Sequence, residues 1–326
     1  MPPFKPLFRH PHLQTIGAHL WRRRGLEGRF PIERRFYRTG PRVEVLVESQ
    51  MPAASPAGHL VMVHGLEGSG QAGYVRSLAG RAVTAGFAAH RFHMRTCGGT
   101  ETRCDTLYHA GLTADLKSVL RTFRAEGRAP VFAAGFSLGG NVVLKLAGEL
   151  GESAGSLLAG VCAISAPVDL AASSRRLATS ENRIYERRFV RRMRSRLLAT
   201  GRYRPSQFAG LRTLLEFDDR ITAPSFGFGT AANYYQTQSA VRYLEGIRIP
   251  VLLIQAQDDP LVPFDVFESP AVRANPYIRL LAPEHGGHLG FLGRLPHRFW
   301  ADEAIMEWIG GQTAKNIPVD PSLLSE

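Results

Sequence analysis

The chain has 326 residues, of which 44% are hydrophobic and 21% charged, and its formal net charge is +12. This is an ordinary globular composition with enough length for a large core. The N-terminal residues lack the apolar core of a secretory signal, and the longest apolar runs are too short to span a bilayer. Three cysteines form no CxxC pair, which argues against a disulfide framework. We therefore expect a cytoplasmic protein with free thiols.

The positive charge is concentrated in one segment. Between Arg175 and Arg204 the sequence has eleven arginines and two glutamates, and the rest of the chain is close to neutral. A pI near 10.2 would ordinarily suggest a nucleic-acid partner. Because the charge belongs to one element and not to the whole fold, we expect that the protein has no nucleic-acid partner.

Short apolar segments bounded by glycine or proline are typical of buried parallel strands. Residues 42–48 alternate instead, as a half-exposed edge strand does. The other predicted strands span residues 58–65, 87–94, 129–136, 157–165, 249–257 and 277–283. Helical patterns separate them, so the chain is predicted to form a mostly parallel, doubly wound α/β sheet.

Residues 171–246 interrupt this alternation, since no clear strand pattern occurs there. An insertion of this length is too long for a plain loop and predicts a helical cap. We therefore expect one core made of residues 1–170 and 247–312, a cap or lid of residues 171–246, and a flexible tail of residues 313–326.

The stretch Gly135-Phe136-Ser137-Leu138-Gly139 lies between a predicted buried strand and a predicted helix. It has the G-x-S-x-G pattern of a nucleophile elbow, a sharp turn that holds a serine hydroxyl above the sheet in a strained conformation. Ligands of open α/β sheets bind beyond the carboxyl ends of the strands, which is where Ser137 falls. We predict that Ser137 is a nucleophile.

A serine nucleophile needs a histidine base and a carboxylate, which follow it in this order in such folds. We choose Asp259, because its D-x-x-V-P spacing places it on the turn that leaves a strand. We choose His288, because two glycines before it let the loop reach over the serine. Asp258 and His285 remain alternatives, and Asp169 is a further candidate that is more simply explained as a helix cap.

The segment His64-Gly65-Leu66-Glu67-Gly68 follows an early strand, where this kind of fold supplies one backbone N–H to an oxyanion. We assign the N–H groups of Leu66 and Leu138 as the pair of donors and interpret His64 as a structural residue of the turn. No GK[ST], which a phosphate-binding loop would need, follows these glycines. Two histidine pairs, His90 with His93 and His10 with His12, have no further candidate metal ligands close to them in the sequence. We expect no phosphate loop, no metal and no other cofactor.

These motifs resemble those of the α/β-hydrolase superfamily, and specifically of YheT-like esterases. That family is related to eukaryotic α/β-hydrolase domain lipases and to yeast medium-chain ester synthase/esterases. The resemblance covers nearly the whole chain and includes HPHLQTI, VHGLEGS, GFSLGGNV, LLEFDDRITAP, NYYQTQSA, QAQDDPLVP and GGHLGF. It implies an α/β-hydrolase fold with a cap, hydrolysis of carboxylic esters, and a triad of Ser137, Asp259 and His288.

Apolar residues recur every four positions in the arginine-rich part of the cap, at Tyr185, Phe189, Met193 and Leu197. This spacing predicts a helix with an apolar stripe. We expect the stripe to dock over the pocket while the arginines stay solvated. The alternative is a basic amphipathic surface that contacts anionic lipid, with peripheral membrane association.

The sequence predicts a serine esterase that cleaves short- to medium-chain acyl esters through an acyl-enzyme on Ser137. Such small-molecule esters are the partners that we expect. Acyl transfer to an alcohol and thioester hydrolysis use the same residues and remain alternatives. A non-catalytic binding protein that docks through the cap is the third hypothesis. The candidates for lining an acyl pocket are Phe226, Phe228, Tyr234 and Tyr235.

Overall fold

The computed structural model describes residues 2–21, 23 and 30–316. Its centre is an eight-stranded sheet with the order β1-β2-β4-β3-β5-β6-β7-β8. The pairings of β2 with β1 and with β4 are antiparallel, and the other pairings are parallel. The strands are β1 (Glu33–Gly40), β2 (Val43–Gln50), β3 (His59–Val63), β4 (Ala88–Phe92), β5 (Val131–Phe136), β6 (Gly160–Ile164), β7 (Val251–Ile254) and β8 (Ile278–Leu281).

Helices connect the strands and cover both faces of the sheet. A π-helical turn, Asp218–Thr222, lies between two of them. The α-helices are α1 (Pro11–Leu20), α2 (Gly73–Thr84), α3 (Ala114–Ala125), α4 (Leu138–Leu150), α5 (Leu170–Leu177), α6 (Arg183–Ala199), α7 (Leu214–Phe217), α8 (Ala223–Ser225), α9 (Ala231–Gln238), α10 (Pro270–Arg273) and α11 (Trp300–Asn316).

The central strands, β3 to β7, are buried at every position, as their continuous apolar sequences predict. Val61 and Val63 of β3 pack in the cluster that contains α3 and α4. Leu60 and Met62 of the same strand point the other way, into the cluster that contains α2 and α11. The α/β-hydrolase fold predicted from the sequence is therefore confirmed.

Strand β1 is the element that the sequence prediction missed. Its sequence is ERRFYRTG, and Tyr37 is its one fully buried side chain, so it lacks the apolar run by which the other strands are recognised. Because β1 pairs with β2, the prediction that residues 42–48 form the half-exposed edge was wrong. The edge is β1, and β2 is buried at nearly every position.

Residues 171–246, which the structure describes without a gap, form helices and turns and no strand. The first part of this segment has a small apolar cluster of its own, made with one residue of the core. The cluster consists of Leu107, Val190, Met193, Leu197, Phe208, Phe217 and Ile221. From Ala223 onward the buried apolar residues belong to the main core instead, so the two parts of the insertion pack differently.

The last helix, α11, ends at Asn316. Residues 313–316 are thus helical, because the helix continues past the two glycines at 310 and 311, and the flexibility of the tail stays a prediction. The remaining predicted tail, residues 317–326, lies outside the described residues.

Among the described residues, none of the helices combines the length and apolar character needed to cross a bilayer. The three cysteines, Cys97, Cys104 and Cys162, are buried free thiols.

Candidate active site

Ser137 occupies the turn between β5 and α4 with a strained backbone, φ 51° and ψ −121°. Such a conformation costs a non-glycine residue about 1–3 kcal/mol and persists only where the surroundings enforce it. A methyl carbon built on Gly135 would lie 2.2 Å from the Gly139 carbonyl oxygen, and one on Gly139 would lie 2.3 Å from the Val63 carbonyl oxygen. Close backbone packing therefore explains both glycines of the G-x-S-x-G pattern.

Ser137, His288 and Asp259 form a continuous chain of hydrogen bonds. Ser137 Oγ lies 2.9 Å from His288 Nε2. His288 Nδ1 lies 3.0 Å from Asp259 Oδ2 and 3.2 Å from Oδ1. The structure thus brings together the three residues chosen from the sequence, in the order that a nucleophile, its base and an orienting acid require.

The Asp259 carboxylate is held on the turn after β7 by three further donors. Its Oδ1 accepts the backbone N–H groups of Leu261 at 2.9 Å and Val262 at 3.1 Å. Its Oδ2 accepts the side-chain amide of Gln255 at 3.1 Å. These bonds set the direction of the carboxylate, so that an oxygen faces His288.

The alternative acids occupy other places. Asp258 accepts the N–H groups of both glycines before His288, at 2.8 and 2.9 Å, and lies 3.3 Å from the ring of His285. This pair therefore supports the loop that carries His288. Asp169 caps α5 by accepting a backbone N–H at 2.9 Å.

The loop after β3 is tied down on both sides of Leu66. The Gly65 N–H donates to the Tyr74 hydroxyl at 3.0 Å, and the Glu67 N–H donates to the Tyr108 hydroxyl at 2.9 Å. Because the neighbouring amides are bonded to tyrosines, the orientation of the peptide between them is restricted.

Leu66 and Leu138 both line the same cavity as Ser137. Gly65 packs so closely on the serine that a methyl carbon built there would lie 3.1 Å from Ser137 Cβ. Leu138 is the first residue of α4, so its N–H has no acceptor within the helix. This geometry suits two oxyanion donors, and their assignment stays a prediction.

His64 is buried beneath this loop. Its Nδ1–H donates to the Gly65 carbonyl oxygen at 2.8 Å, and its Nε2 accepts the Met94 N–H at 3.2 Å. Burial lowers the pKa of His64 to about 3, against the opposing effect of the bond to Gly65. The ring is neutral with both nitrogens occupied, which agrees with a structural role and not with that of a base.

A cavity of about 100 Å³ is lined by Ser137 and His288. Core and cap both contribute apolar side chains to its wall. These include Leu107, Leu170, Leu177, Phe189, Met193, Leu214, Phe217, Leu261 and Val262. Among the described residues, no group of three His, Cys, Asp or Glu side chains is placed to hold a metal ion.

The four predicted pocket aromatics divide into two pairs. Tyr234 and Tyr235 line the cavity. Phe226 and Phe228 are absent from its wall, and that part of the prediction was wrong. They pack against the ring of His109, with centroids 4.5 and 5.3 Å away, and this histidine faces the cavity in their place.

Asp218 is a buried carboxylate in this largely apolar wall, at the start of the π-helical turn. Burial raises its pKa to about 6, although hydrogen bonds from Thr222 and Tyr235 oppose the shift. The Tyr235 hydroxyl donates to Asp218 Oδ2 at 2.7 Å. The sequence contains this residue in a recognisable motif but does not indicate that it reaches the cavity.

Arg196 contradicts the expectation that the cap arginines stay solvated. Its side chain is 10% exposed, and its Nε lies 2.9 Å from Glu67 Oε1. Its Nη1 donates to Thr96 Oγ1 at 2.6 Å, and its guanidinium lies over the Tyr108 ring, 4.7 Å from the centroid. The carboxylate beneath α6 explains why this one arginine turns inward.

A mostly parallel sheet, a strained serine after β5, and a carboxylate and histidine on the loops after β7 and β8 form the arrangement common to α/β-hydrolases. The chain belongs to the alpha/beta hydrolase family, which it matches over residues 60–302.

Three relatives illustrate its similarities in sequence. YheT of Escherichia coli, whose name proposes an esterase, is 33% identical over 314 residues, which are 93% of this chain and 91% of YheT. The monoacylglycerol lipase of Saccharomyces cerevisiae is 29% identical over 77% of this chain and 58% of the lipase. Medium-chain fatty acid ethyl ester synthase/esterase 2 of that yeast is 26% identical over 76% of this chain and 61% of its own length. The chain thus spans about three-fifths of the two yeast proteins.

Solved structures show the same fold. The Pyrococcus furiosus esterase Pf2001 aligns over 95% of this chain and 98% of its own, with a TM-score of 0.59 and 16% identity. Est1E of Butyrivibrio proteoclasticus aligns over 86% of this chain and 99% of its own, with a TM-score of 0.57 and 14% identity. At these identities the likeness concerns the fold alone.

Proposed function

We propose that the protein is a serine carboxylesterase that cleaves short- to medium-chain acyl esters. The observation that carries the proposal is the hydrogen-bond chain from Ser137 through His288 to Asp259 in the wall of an apolar cavity. The names of the relatives, which include an esterase and a lipase, support the same class of substrate.

In the first half of the reaction, Ser137 Oγ attacks the ester carbonyl carbon while His288 Nε2 takes the hydroxyl proton. The carbonyl oxygen becomes an oxyanion, which the N–H groups of Leu66 and Leu138 stabilise. Asp259 holds the imidazolium in place. The intermediate then breaks the bond to the alkoxide, His288 returns the proton to it, and an alcohol leaves.

In the second half, water attacks the acyl-enzyme carbonyl and gives one proton to His288. The second tetrahedral intermediate expels Ser137 Oγ, which recovers that proton, and the carboxylic acid leaves. The N-terminus of α4 points its positive dipole at the same region and adds to the stabilisation of negative charge. In well-studied hydrolases each oxyanion donor contributes about 2.7–4 kcal/mol.

The apolar wall suits an acyl chain. Each buried methylene contributes about 0.8 kcal/mol, so kcat/KM should rise with chain length until the cavity is filled and fall beyond it. We infer that the optimum lies at short to medium length.

The test is hydrolysis of p-nitrophenyl esters from acetate to palmitate by the wild type, by Ser137→Ala and by a control, Ser156→Ala, at an exposed serine. We expect an optimum below palmitate in the wild type and the control, and loss of activity in Ser137→Ala. Activity that survives in Ser137→Ala would contradict the proposal.

Acyl transfer to an alcohol is the second candidate, because one relative is named as a synthase as well as an esterase. Adding ethanol to the reaction tests it. Ethyl ester formed at the expense of free acid, and absent with Ser137→Ala, would establish transfer; free acid alone would leave hydrolysis.

A further inference from the structure

Helix α1 exposes an apolar stripe to solvent. Leu13, Ile16 and Leu20 follow one another at spacings of three and four residues, so they share one face of the helix. All three are exposed, Leu20 to 72%, and Trp21 directly after the helix is exposed as well. An exposed apolar stripe of this kind is typical of an interaction site.

The opposite face of α1 is fixed to the core. Gln14 is fully buried. Its Nε2 donates to the carbonyl oxygens of Phe8 at 2.8 Å and Leu292 at 3.1 Å, and its Oε1 accepts the Leu292 N–H at 2.9 Å. Rotating the helix to bury its leucines would break these bonds, so the apolar face belongs on the outside.

Helix α6 lies beside α1. His12 Nδ1 is 3.0 Å from the Tyr185 hydroxyl, and Arg188 Nη2 is 3.1 Å from His19 Nε2. Besides Ile184, which is 78% exposed, α6 presents six exposed arginines. They are Arg183, Arg187, Arg188, Arg191, Arg192 and Arg194.

Among the residues that the structure describes, α1 and α6 give this surface little negative charge. Helix α1 contains no acidic residue, and the one in α6, Glu186, is buried. We refer to the apolar residues Leu13, Ile16, Leu20, Trp21 and Ile184, together with the six arginines, as the α1/α6 face.

We propose that the α1/α6 face docks on a membrane that contains anionic lipid. The apolar side chains enter the boundary between headgroups and acyl chains, and the arginines bind lipid phosphates. A nucleic acid would leave the apolar stripe unused. A second copy of the chain joined through this face would bring two rows of arginines together, and like charges repel.

The position of the face gives the docking a consequence. Thr15, on the inner side of α1, accepts the His288 N–H at 2.9 Å. Phe189 and Met193 of α6 line the cavity. Docking would thus hold the cavity next to a lipid surface. The inference goes beyond the proposed function and does not depend on it, because binding is measured without hydrolysis.

The test uses the full chain with vesicles of phosphatidylcholine, with and without phosphatidylglycerol, followed by sedimentation and tryptophan fluorescence. Trp300 and Trp308 are buried and Trp21 is exposed, so a blue shift that is lost in Trp21→Phe reports insertion of this face. We expect binding and a blue shift with phosphatidylglycerol only, and weaker binding at high salt because salt screens the arginines.

Two triple variants separate the two parts of the face. Leu13→Gln/Ile16→Gln/Leu20→Gln should abolish the blue shift. Arg187→Gln/Arg191→Gln/Arg194→Gln should lower the partition coefficient by roughly fivefold per arginine, or about 100-fold in all. The matched control, Arg38→Gln/Arg121→Gln/Arg124→Gln, removes exposed arginines elsewhere and should bind as the wild type does.

Hydrolysis of a soluble ester, p-nitrophenyl butyrate, should be unchanged in both triple variants of the face. Ser137→Ala should bind vesicles normally and hydrolyse nothing, which separates a failure of docking from a failure of the proposed reaction. Lack of wild-type binding, or binding that neither triple variant weakens, would overturn the proposal. So would light scattering that shows a dimer which the leucine and isoleucine substitutions dissociate.

Discussion

Arg196 of α6 and Glu67 of the loop after β3 form a buried ion pair, with Nε 2.9 Å from Oε1 and 3.1 Å from Oε2. Glu67 directly follows Leu66 and has a positive φ of 54°, a conformation that needs support from its surroundings. Arg196 also lines the cavity. The pair therefore joins the cap to the loop that carries one of the proposed oxyanion donors.

The first prediction concerns this link. Replacing Arg196 by Met leaves a buried carboxylate without its cation, so the free energy of unfolding should fall by about 3–5 kcal/mol. Because Leu66 loses its support, kcat should fall by up to about 10²-fold, with a smaller change in KM. Ester kinetics and urea unfolding measure both effects. The control is Arg191→Met at an exposed arginine of the same helix. An unchanged kcat in Arg196→Met would show that the pair does not position the loop.

The second prediction distinguishes the two adjacent aspartates. Asp259→Asn should lower kcat by about 10⁴-fold with little change in KM, because the amide favours the wrong tautomer of His288. Asp258→Asn retains an oxygen acceptor for the N–H groups of the two glycines. Its kcat should therefore fall by less than about tenfold, because the change weakens at most one hydrogen bond. Steady-state kinetics of the two variants test this, and the opposite order of effects would assign the acid to Asp258.

The third prediction concerns the elbow. Gly139→Ala places a methyl carbon 2.3 Å from the Val63 carbonyl oxygen, a backbone atom that cannot move without displacing β3. We expect the free energy of unfolding to fall by more than about 3 kcal/mol, because overpacking against a fixed backbone is among the most destabilising kinds of substitution. The control is Gly310→Ala in α11, where nothing lies within 4 Å. That change should stabilise the helix by up to about 1 kcal/mol. Equal melting temperatures for the two variants would contradict this account of the turn.

The fourth prediction concerns the pH dependence of stability. Burial raises the pKa of Asp218 to about 6 from a usual value of 3.8. Between these pH values the folded protein holds a proton that the unfolded chain has released, so this group makes stability fall as pH rises. The loss amounts to about 3 kcal/mol and is complete above pH 6.

Asp218→Asn removes this contribution. The free energy of unfolding of the variant, relative to that of the wild type, should therefore be about 2–3 kcal/mol higher at pH 7 than at pH 4. Urea unfolding of both proteins at the two pH values measures the gain. A difference between them that does not change with pH would show that Asp218 titrates normally.

The sequence predicted the features that depend on residues close together in the chain. The elbow is recognisable because close packing of β5, β3 and α4 requires glycine at fixed distances from Ser137. Parallel strands are recognisable because burial on both faces requires continuous apolar runs. Asp259 and His288 followed from chain order and from the turns that carry them.

The features that the sequence did not reveal depend on partners far along the chain. Arg196 is one of eleven arginines between residues 175 and 204, and its burial depends on Glu67, which is 129 residues away. Phe226 and Phe228 are aromatic like Tyr234 and Tyr235, but His109 lies between them and the cavity. Strand β1 is polar and becomes a strand by pairing with β2.

The most direct test of the central claim is covalent labelling of Ser137. A fluorophosphonate reacts with a serine hydroxyl only when a neighbouring base activates it, and it releases fluoride as the Oγ–P bond forms. We predict one adduct per chain by intact-protein mass spectrometry, located on the peptide that contains Ser137 and absent from Ser137→Ala. An unlabelled wild type, or equal labelling of Ser137→Ala, would contradict the account.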